Sequence, residues 1–219
     1  MEFKIIFDNY EYDSHLQTLW GFACIINNHI LFDTGSNGRV LLKNCKKMGI
    51  DLKNIDIVFI SHNHWDHIGG LDSVIEENPN IKLIVPNTLS KRLIKDLKSL
   101  VKEVIIIDQK TQITKNIYTT GILGDEIPEQ SMLIKENNKN YLIVGCSHFG
   151  IENIVKAVNE PIEYIIGGFH LLNKTHFKNL DNLANYITPT HCTGDKGISF
   201  LKQKYKNFIP GGVGKIIKF

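Results

Sequence analysis

The sequence has no apolar run that approaches the ~20 residues a membrane-spanning helix needs; its longest, such as Ile57 to Ile60 and Val104 to Ile107, are short enough to be buried strands. It also lacks the basic flank, extended apolar stretch and small-residue cleavage site of a secretory leader. Met-Glu-Phe-Lys-Ile-Ile-Phe-Asp alternates like a strand instead, so a cytoplasmic protein is expected, with no membrane partner. No sign of charge dominates. Twenty-five Lys and Arg against twenty-three Asp and Glu leave +2, and the lysines are scattered, so nothing in the charge pattern points to nucleic acid. Cysteine is sparse: Cys24, Cys45, Cys146 and Cys192 form no C-x-x-C pair and no disulfide framework, and each reads first as a small buried hydrophobe. Cys146 stands two residues before a histidine and Cys192 directly after one, which sets these two apart.

What is present is an ordinary globular balance, 42% hydrophobic and 22% charged, enough to bury one sizeable core. No repeat or Pro/Gly/Ser-rich linker interrupts residues 1–219, and a single domain is expected. Phe3 to Phe7 reads as a strand. Phe22 to Ile26 and His29 to Phe32 read as a hairpin meeting at Asn27-Asn28, residues that tolerate positive φ. Helical spacing over Val40 to Lys47, around Leu71 to Glu77 and over Thr88 to Leu100 alternates with strands at Asp56 to Ile60, Ile81 to Val85 and Val104 to Ile107. Ser131 to Ile134 and Tyr141 to Val144 flank a polar turn as a second hairpin. Helices are predicted over Ile151 to Val158, Leu180 to Tyr186 and Ile198 to Tyr205, and strands over Ile162 to Ile166 and Val213 to Phe219. Hairpins mixed with β-α-β units predict an α/β (mixed α+β) fold, with mixed sheets covered by helices.

The chemistry is concentrated in Ser61-His62-Asn63-His64-Trp65-Asp66-His67, directly after a buried strand. Four potential metal ligands within six residues, in a chain of nine histidines, are hard to explain by packing. In extended backbone His62 and His64 point to the same side, and Asp66 and His67 follow where the chain turns toward a helix. Imidazole and carboxylate suit zinc, and also iron or manganese.

H-x-H-x-D-H after a hydrophobic strand resembles the signature of the metallo-β-lactamase superfamily, and Leu31-Phe32-Asp33-Thr34-Gly35 resembles its first motif. Together with Gly145-Cys146-Ser147-His148-Phe149-Gly150-Ile151, Gly167-Gly168-Phe169-His170-Leu171 and Thr190-His191-Cys192-Thr193-Gly194, these motifs look like the branch of the dihydropterin ribofuranosyl-aminobenzene 5'-phosphate synthases. The resemblance implies a four-layer αββα sandwich of two related halves and a binuclear site for two divalent ions, zinc first, with Mn2+ or Fe as alternatives.

By the superfamily pattern, His62 and His64 hold the first metal, and Asp66 and His67 the second. No histidine lies between His67 and His148, so the third ligand of the first metal is His148 or a carboxylate such as Glu129. Where the pattern has a bridging Gly-Asp this chain has Gly145-Cys146, and Cys146 is either a thiolate ligand or a small residue at a tight turn. His191 resembles the last metal-binding histidine. His170 competes for that role and is otherwise placed near the substrate as acid or base, so Asp66 and His170 are the candidate catalytic groups. Asp33 is either a loop residue or a carboxylate that accepts the second ring N–H of a ligating histidine. Trp65 is expected to shield one side of the site. His15, His29 and His176 read as exposed or locally hydrogen-bonded.

Such a site activates water for hydrolysis of an ester, amide or phosphoester of a small-molecule substrate. The branch adds a condensation, akin to that of a dihydropteroate synthase, between a dihydropterin and a ribosylated aromatic amine phosphate. Gly211-Gly212-Val213-Gly214-Lys215 can be read as a phosphate cradle or as an irregular approach to the last strand. Two further classes stay open: a metal-poor ligand-binding or regulatory member without turnover, and a di-iron redox protein. The polar loops Asn9 to Leu19 and Gly121 to Gln130 are expected to shape the pocket.

Overall fold

Asparagine pairs start a sheet in each half of the chain. Asn137-Asn138 forms a two-residue loop between paired Glu136 and Lys139, with φ of 51° and 60°, the left-handed values that a type I′ hairpin turn requires. Asn27 and Asn28, at 49° and 64°, do the same within the three-residue loop between paired Ile26 and Ile30. The computed structural model describes residues 1–171 and 180–219, and these divide into two compact units, Met1–Asp108 with Gly212–Phe219, and Gln109–Gly211.

The first unit is built on a seven-stranded sheet. Its strands are β1 (Glu2–Phe7), β2 (Ala23–Ile26), β3 (Ile30–Phe32), β4 (Ile57–Phe59), β5 (Lys82–Pro86), β6 (Glu103–Ile107) and β13 (Ile216–Lys218), in the order β13-β1-β2-β3-β4-β5-β6. The pairs from β3 to β6 are parallel and the others antiparallel, so a hairpin half continues into a β-α-β half. The crossovers carry α1 (Gly38–Lys47), α2 (Trp65–Ile68), α3 (Leu71–Glu77) and α4 (Lys91–Leu100). Asn37 caps α1 by accepting from Val40 N at 3.1 Å, and Ser90 caps α4 from Leu93 N at 3.2 Å. That cap sets the start of α4, three residues later than the apolar spacing from Thr88 suggests. Leu41, Val74 and Leu97 pack against Ile25, Val58 and Leu83 of the sheet.

The second unit repeats the plan. β7 (Thr111–Gln112), β8 (Ile117–Thr119), β9 (Met132–Glu136), β10 (Lys139–Val144), β11 (Tyr164–Gly168) and β12 (Tyr186–Thr190) form a six-stranded sheet in the order β12-β11-β10-β9-β8-β7. Again the hairpin strands are antiparallel, while β10, β11 and β12 run parallel with Val144 beside Gly167 and Gly168 beside Thr190. That register brings the C-terminal ends of three strands to one edge. α5 (Ile151–Val158) and α6 (Gly194–Lys204) cover the sheet through Ile154, Val158 and Leu201. The two short strands β7 and β8, only two and three residues long, gave no periodic signal.

One predicted helix is absent. Residues 180–185 are irregular and run straight into β12, because the Tyr205 hydroxyl takes the place of a helical partner: it donates to Leu180 O at 2.7 Å and accepts from Leu183 N at 2.9 Å. Asn182 between them has φ of 56°. Among the described residues no helix is long and apolar enough to cross a membrane.

Candidate metal centre

Parallel pairing of β3 with β4 places Asp33 and Ser61 at adjoining strand ends, with Phe32 beside Phe59. Asp33 is fully buried with φ of 54°, and its carboxylate receives three donors. Oδ1 accepts from Ser61 N at 2.7 Å; Oδ2 accepts from Ser61 Oγ at 2.7 Å and from His67 Nδ1 at 2.6 Å. An ionised carboxylate only accepts, so the Ser61 hydroxyl donates to Asp33 and its lone pairs face His62 Nδ1, 2.8 Å away. Both Nδ1 atoms therefore carry the proton. Each ring is thereby held in the tautomer whose Nε2 lone pair is available to a metal.

The segment that carries these rings is tied down on both sides. The His67 carbonyl accepts from Thr34 N at 2.8 Å and Thr34 Oγ1 at 2.9 Å, and the Asp66 carbonyl from Phe22 N at 3.3 Å. The His62 ring lies 4.7 Å from that of His64 and 4.2 Å from that of His67, centroid to centroid, and Asp66 Oδ2 stands 3.9 Å from His67 Nε2. Four nitrogen and oxygen donors thus converge in the first unit. His62, Asp66 and His67 are buried and His64 is half-buried. Gly69 and Gly70 follow with ordinary negative φ, so they do not serve a sharp bend; they allow close approach, since a Cβ on Gly69 would lie 2.5 Å from the Ser36 carbonyl oxygen. Trp65, expected to shield the site, is 62% exposed.

In the second unit the donors lie at the aligned ends of β10, β11 and β12. Glu129, buried, accepts from Ser147 N at 2.7 Å through Oε1 and from His148 N at 3.0 Å through Oε2, so its two oxygens hold the turn that presents Cys146 and His148. Ser147 (φ 61°) also donates from Oγ to Gly168 O at 2.7 Å. His148 and His170 pack ring to ring at 4.4 Å. His191 is buried at the start of a 3-10 turn, with Cys192 beside it. Burial works to raise the Cys192 thiol, but hydrogen bonds with Cys146 and His170 and the proximity of the imidazoles of His191 and His170 outweigh it and hold the thiol well below its ordinary range. Cys24 has no such neighbours and is pushed far up by burial; Cys45, likewise, is pushed up to about 12.

Backbone conformation singles out the same residues. Among the described non-glycine residues with left-handed φ, all but four are asparagines; the four are Asp33, Ser147, His170 and His191, each just past a strand of the two parallel ladders. Such conformations cost of order 1–3 kcal/mol each and concentrate at functional sites.

A cleft of about 290 Å³ in the second unit is lined by Gly124, Asp125, Glu126, Ile127, Phe149 and the two packed imidazoles of His148 and His170. Part of the polar loop Gly121 to Gln130 therefore does shape a pocket. The glycine-rich run 211–215 does not form a phosphate cradle: Val213 N, Gly214 N and Lys215 N donate to Tyr10 O, Ile5 O and Gly212 O, and Lys215 Nζ lies over the Tyr12 ring at 4.2 Å. His15 Nδ1 meets Asp13 and His29 Nδ1 meets the Asn27 carbonyl, local contacts only; His176 lies outside the described residues.

The family model described as the metallo-beta-lactamase superfamily matches residues 17–167. The chain belongs to that superfamily. It is 33% identical to the uncharacterized protein MJ0448 of Methanocaldococcus jannaschii over 98% of each chain. It is 29% identical to the 7,8-dihydropterin-6-methyl-4-(beta-D-ribofuranosyl)-aminobenzene-5'-phosphate synthase of the same organism, over 89% of this chain and 85% of that one. That synthase is a different enzyme from dihydropteroate synthase. Among solved structures, Tm1679, described as a metal-dependent hydrolase of the beta-lactamase superfamily, aligns with a TM-score of 0.80 at 24% identity over 100% of this chain and 99% of its own. The metallo-β-lactamase fold of this chain is thereby shown. Divalent metals are the general cofactors of the superfamily, and the donors described above are of the type that binds them.

Proposed function

We propose that this superfamily member is a metal-dependent hydrolase or transferase that uses two divalent ions, zinc first, on a small metabolite with a phosphorylated or pterin-like part. The observation that carries the reading is the arrangement around Asp33, which fixes His67 directly and His62 through Ser61, leaving both Nε2 lone pairs beside His64 and Asp66. A buried carboxylate that sets two imidazole tautomers at once is the support a metal-ligating cluster needs. His62, His64, Asp66 and His67 would hold metal, and the superfamily pattern adds His148 and His191 to the set. When bound, such ions supply Lewis acidity toward a carbonyl or phosphoryl oxygen.

The chain's own residues do the rest. Asp33 and Ser61 orient the ligands, Glu129 holds the turn at Ser147 and His148, and the loop 124–127 walls one side of a cleft of metabolite size. The substrate class rests on the synthase relative, whose name contains both a dihydropterin and a phosphorylated ribosyl-aminobenzene.

Element analysis by mass spectrometry, on protein purified without added metal or chelator, tests the proposal. About two zinc or manganese ions per chain are expected. Two iron ions would favour a redox protein, and no metal after reconstitution would overturn the reading. The H62A/H64A variant is expected to lose the metal held by this cluster, and activity, while keeping its circular dichroism; unchanged metal content would overturn the ligand assignment. Turnover of generic ester and phosphodiester substrates then separates an enzyme from a ligand-binding member.

A further inference from the structure

The two cysteines that stand out in the sequence meet in the second unit. The turn after β10 delivers Cys146, the residues after β11 deliver His170, and the 3-10 turn after β12 delivers Cys192. One ligand atom from each, two Sγ and one imidazole nitrogen, lie within 4.8 Å of one another. The cysteines are buried to 3% exposure and the histidine is half-buried at the cleft. Cys192 Sγ is 3.4 Å from the Cys146 carbonyl oxygen. Room for that sulfur comes from Gly168, where a Cβ would lie 2.5 Å from Cys192 Sγ and 2.7 Å from the Gly145 carbonyl oxygen.

We propose that Cys146, Cys192 and His170 form a soft-metal site, which holds one zinc-class ion through two thiolates and an imidazole with a fourth position open toward the cleft. Two sulfurs and a nitrogen suit zinc or Cu(I), whereas the His/Asp cluster of the first unit offers harder donors. With Zn–S of ~2.3 Å and tetrahedral angles, the sulfurs of such a site sit about 3.8 Å apart. A triad already within 4.8 Å closes to that spacing by side-chain adjustment alone. The dithiolate form is the ligand, and each thiol still protonated gives its proton to solvent as its bond to the ion forms. Here His170 is a ligand rather than a mobile acid or base. Cys24 and Cys45 supply the contrast: both are buried thiols, and neither belongs to a donor cluster among the described residues. The proposal goes beyond the reading of the His/Asp cluster, which assigns no ligand role to Cys146, His170 or Cys192.

Cobalt(II) is the probe. Added to reduced protein, it is expected to give a thiolate-to-cobalt charge-transfer band in the near ultraviolet in the wild-type chain and equally in H62A/H64A, with the band lost in C192S. No band in the wild type, an undiminished band in folded C192S, or loss of the band in H62A/H64A would each overturn the triad as a site of its own. Alkylation of the native wild-type chain keeps the test decisive if C192S fails to fold. Zinc is expected to block labelling of Cys146 and Cys192 and to leave Cys24 and Cys45 unchanged. Equal labelling of the pair with and without zinc overturns the proposal.

Discussion

The two units use the same sheet plan and present their donors in opposite ways. In the first, one segment of six residues carries His62, His64, Asp66 and His67, and a single carboxylate, Asp33, gathers the hydrogen bonds that orient it. In the second, the donors come one or two at a time from the ends of β10, β11 and β12, and Glu129 braces one of those ends. The contrast teaches that a carboxylate at a parallel strand end can organise either a contiguous motif or a scattered one. What changes is how much of the site the sheet register must bring together.

Removing the braces tests this contrast, and Asp33 gives the largest effect. Asp33→Ala strands three buried donors, each worth ~1–3 kcal/mol, so chemical denaturation is expected to show a loss of ~3–5 kcal/mol. Asp33→Asn tolerates the left-handed backbone and keeps the shape, but cannot accept three donors; metal retention measured against a competing chelator should fall about 10–100-fold. A wild-type affinity in that variant would mean that the arrangement around Asp33 does not tune the cluster.

Gly168→Ala drives a Cβ into Cys192 Sγ and the Gly145 carbonyl, and is expected to cost ~1–3 kcal/mol in urea unfolding, with Cys192 becoming more open to alkylation. Glu129→Gln leaves one of two backbone amides facing an N–H instead of an oxygen, and should cost ~1–2 kcal/mol. Hydrogen exchange at Ser147 and His148 should rise while the amides around Asp33 stay protected. Uniform exchange across both units would break the comparison.

The smallest effect concerns pH. Hydrogen bonds from Lys135 to Glu160 and from Lys139 to Glu163, the latter joined by Asn185, hold both carboxyls below their ordinary values. The native carboxyls are the stronger acids, so the unfolded chain binds more protons as pH falls. The stabilisation is complete above the ordinary carboxylate range and disappears as pH drops through the native values. Both pairs are partly exposed, which keeps the contribution of each small, and denaturant titrations from neutral to acid pH should show the difference vanish in K135M/K139M.

Much of this protein was legible because its signals are local. The apolar periodicities of α1, α3 and α5 and the Asn-Asn turns report on neighbours in the chain, and the 62–67 motif announces itself by spacing alone. The helix expected at 180–186 but absent and the unread strand β8 share a cause: their backbone partners lie farther along the sequence, in Tyr205 for the first and in β9 for the second, while β7 is only two residues long. The role of Glu129 was hidden for the same reason, since nothing in its own neighbourhood shows that its oxygens face two amides eighteen and nineteen residues on.

The sequence by itself determined the kinds of donor available, the elements that carry them and the superfamily whose motifs they match, because covalent order and short-range periodicity suffice for each. Tertiary structure decided that Asp33 sets the tautomers of two imidazoles and that Cys146, His170 and Cys192 converge. Hydrogen-bond direction and sulfur–nitrogen proximity arise only when parallel strands come into register, which places residues tens of positions apart at one sheet edge.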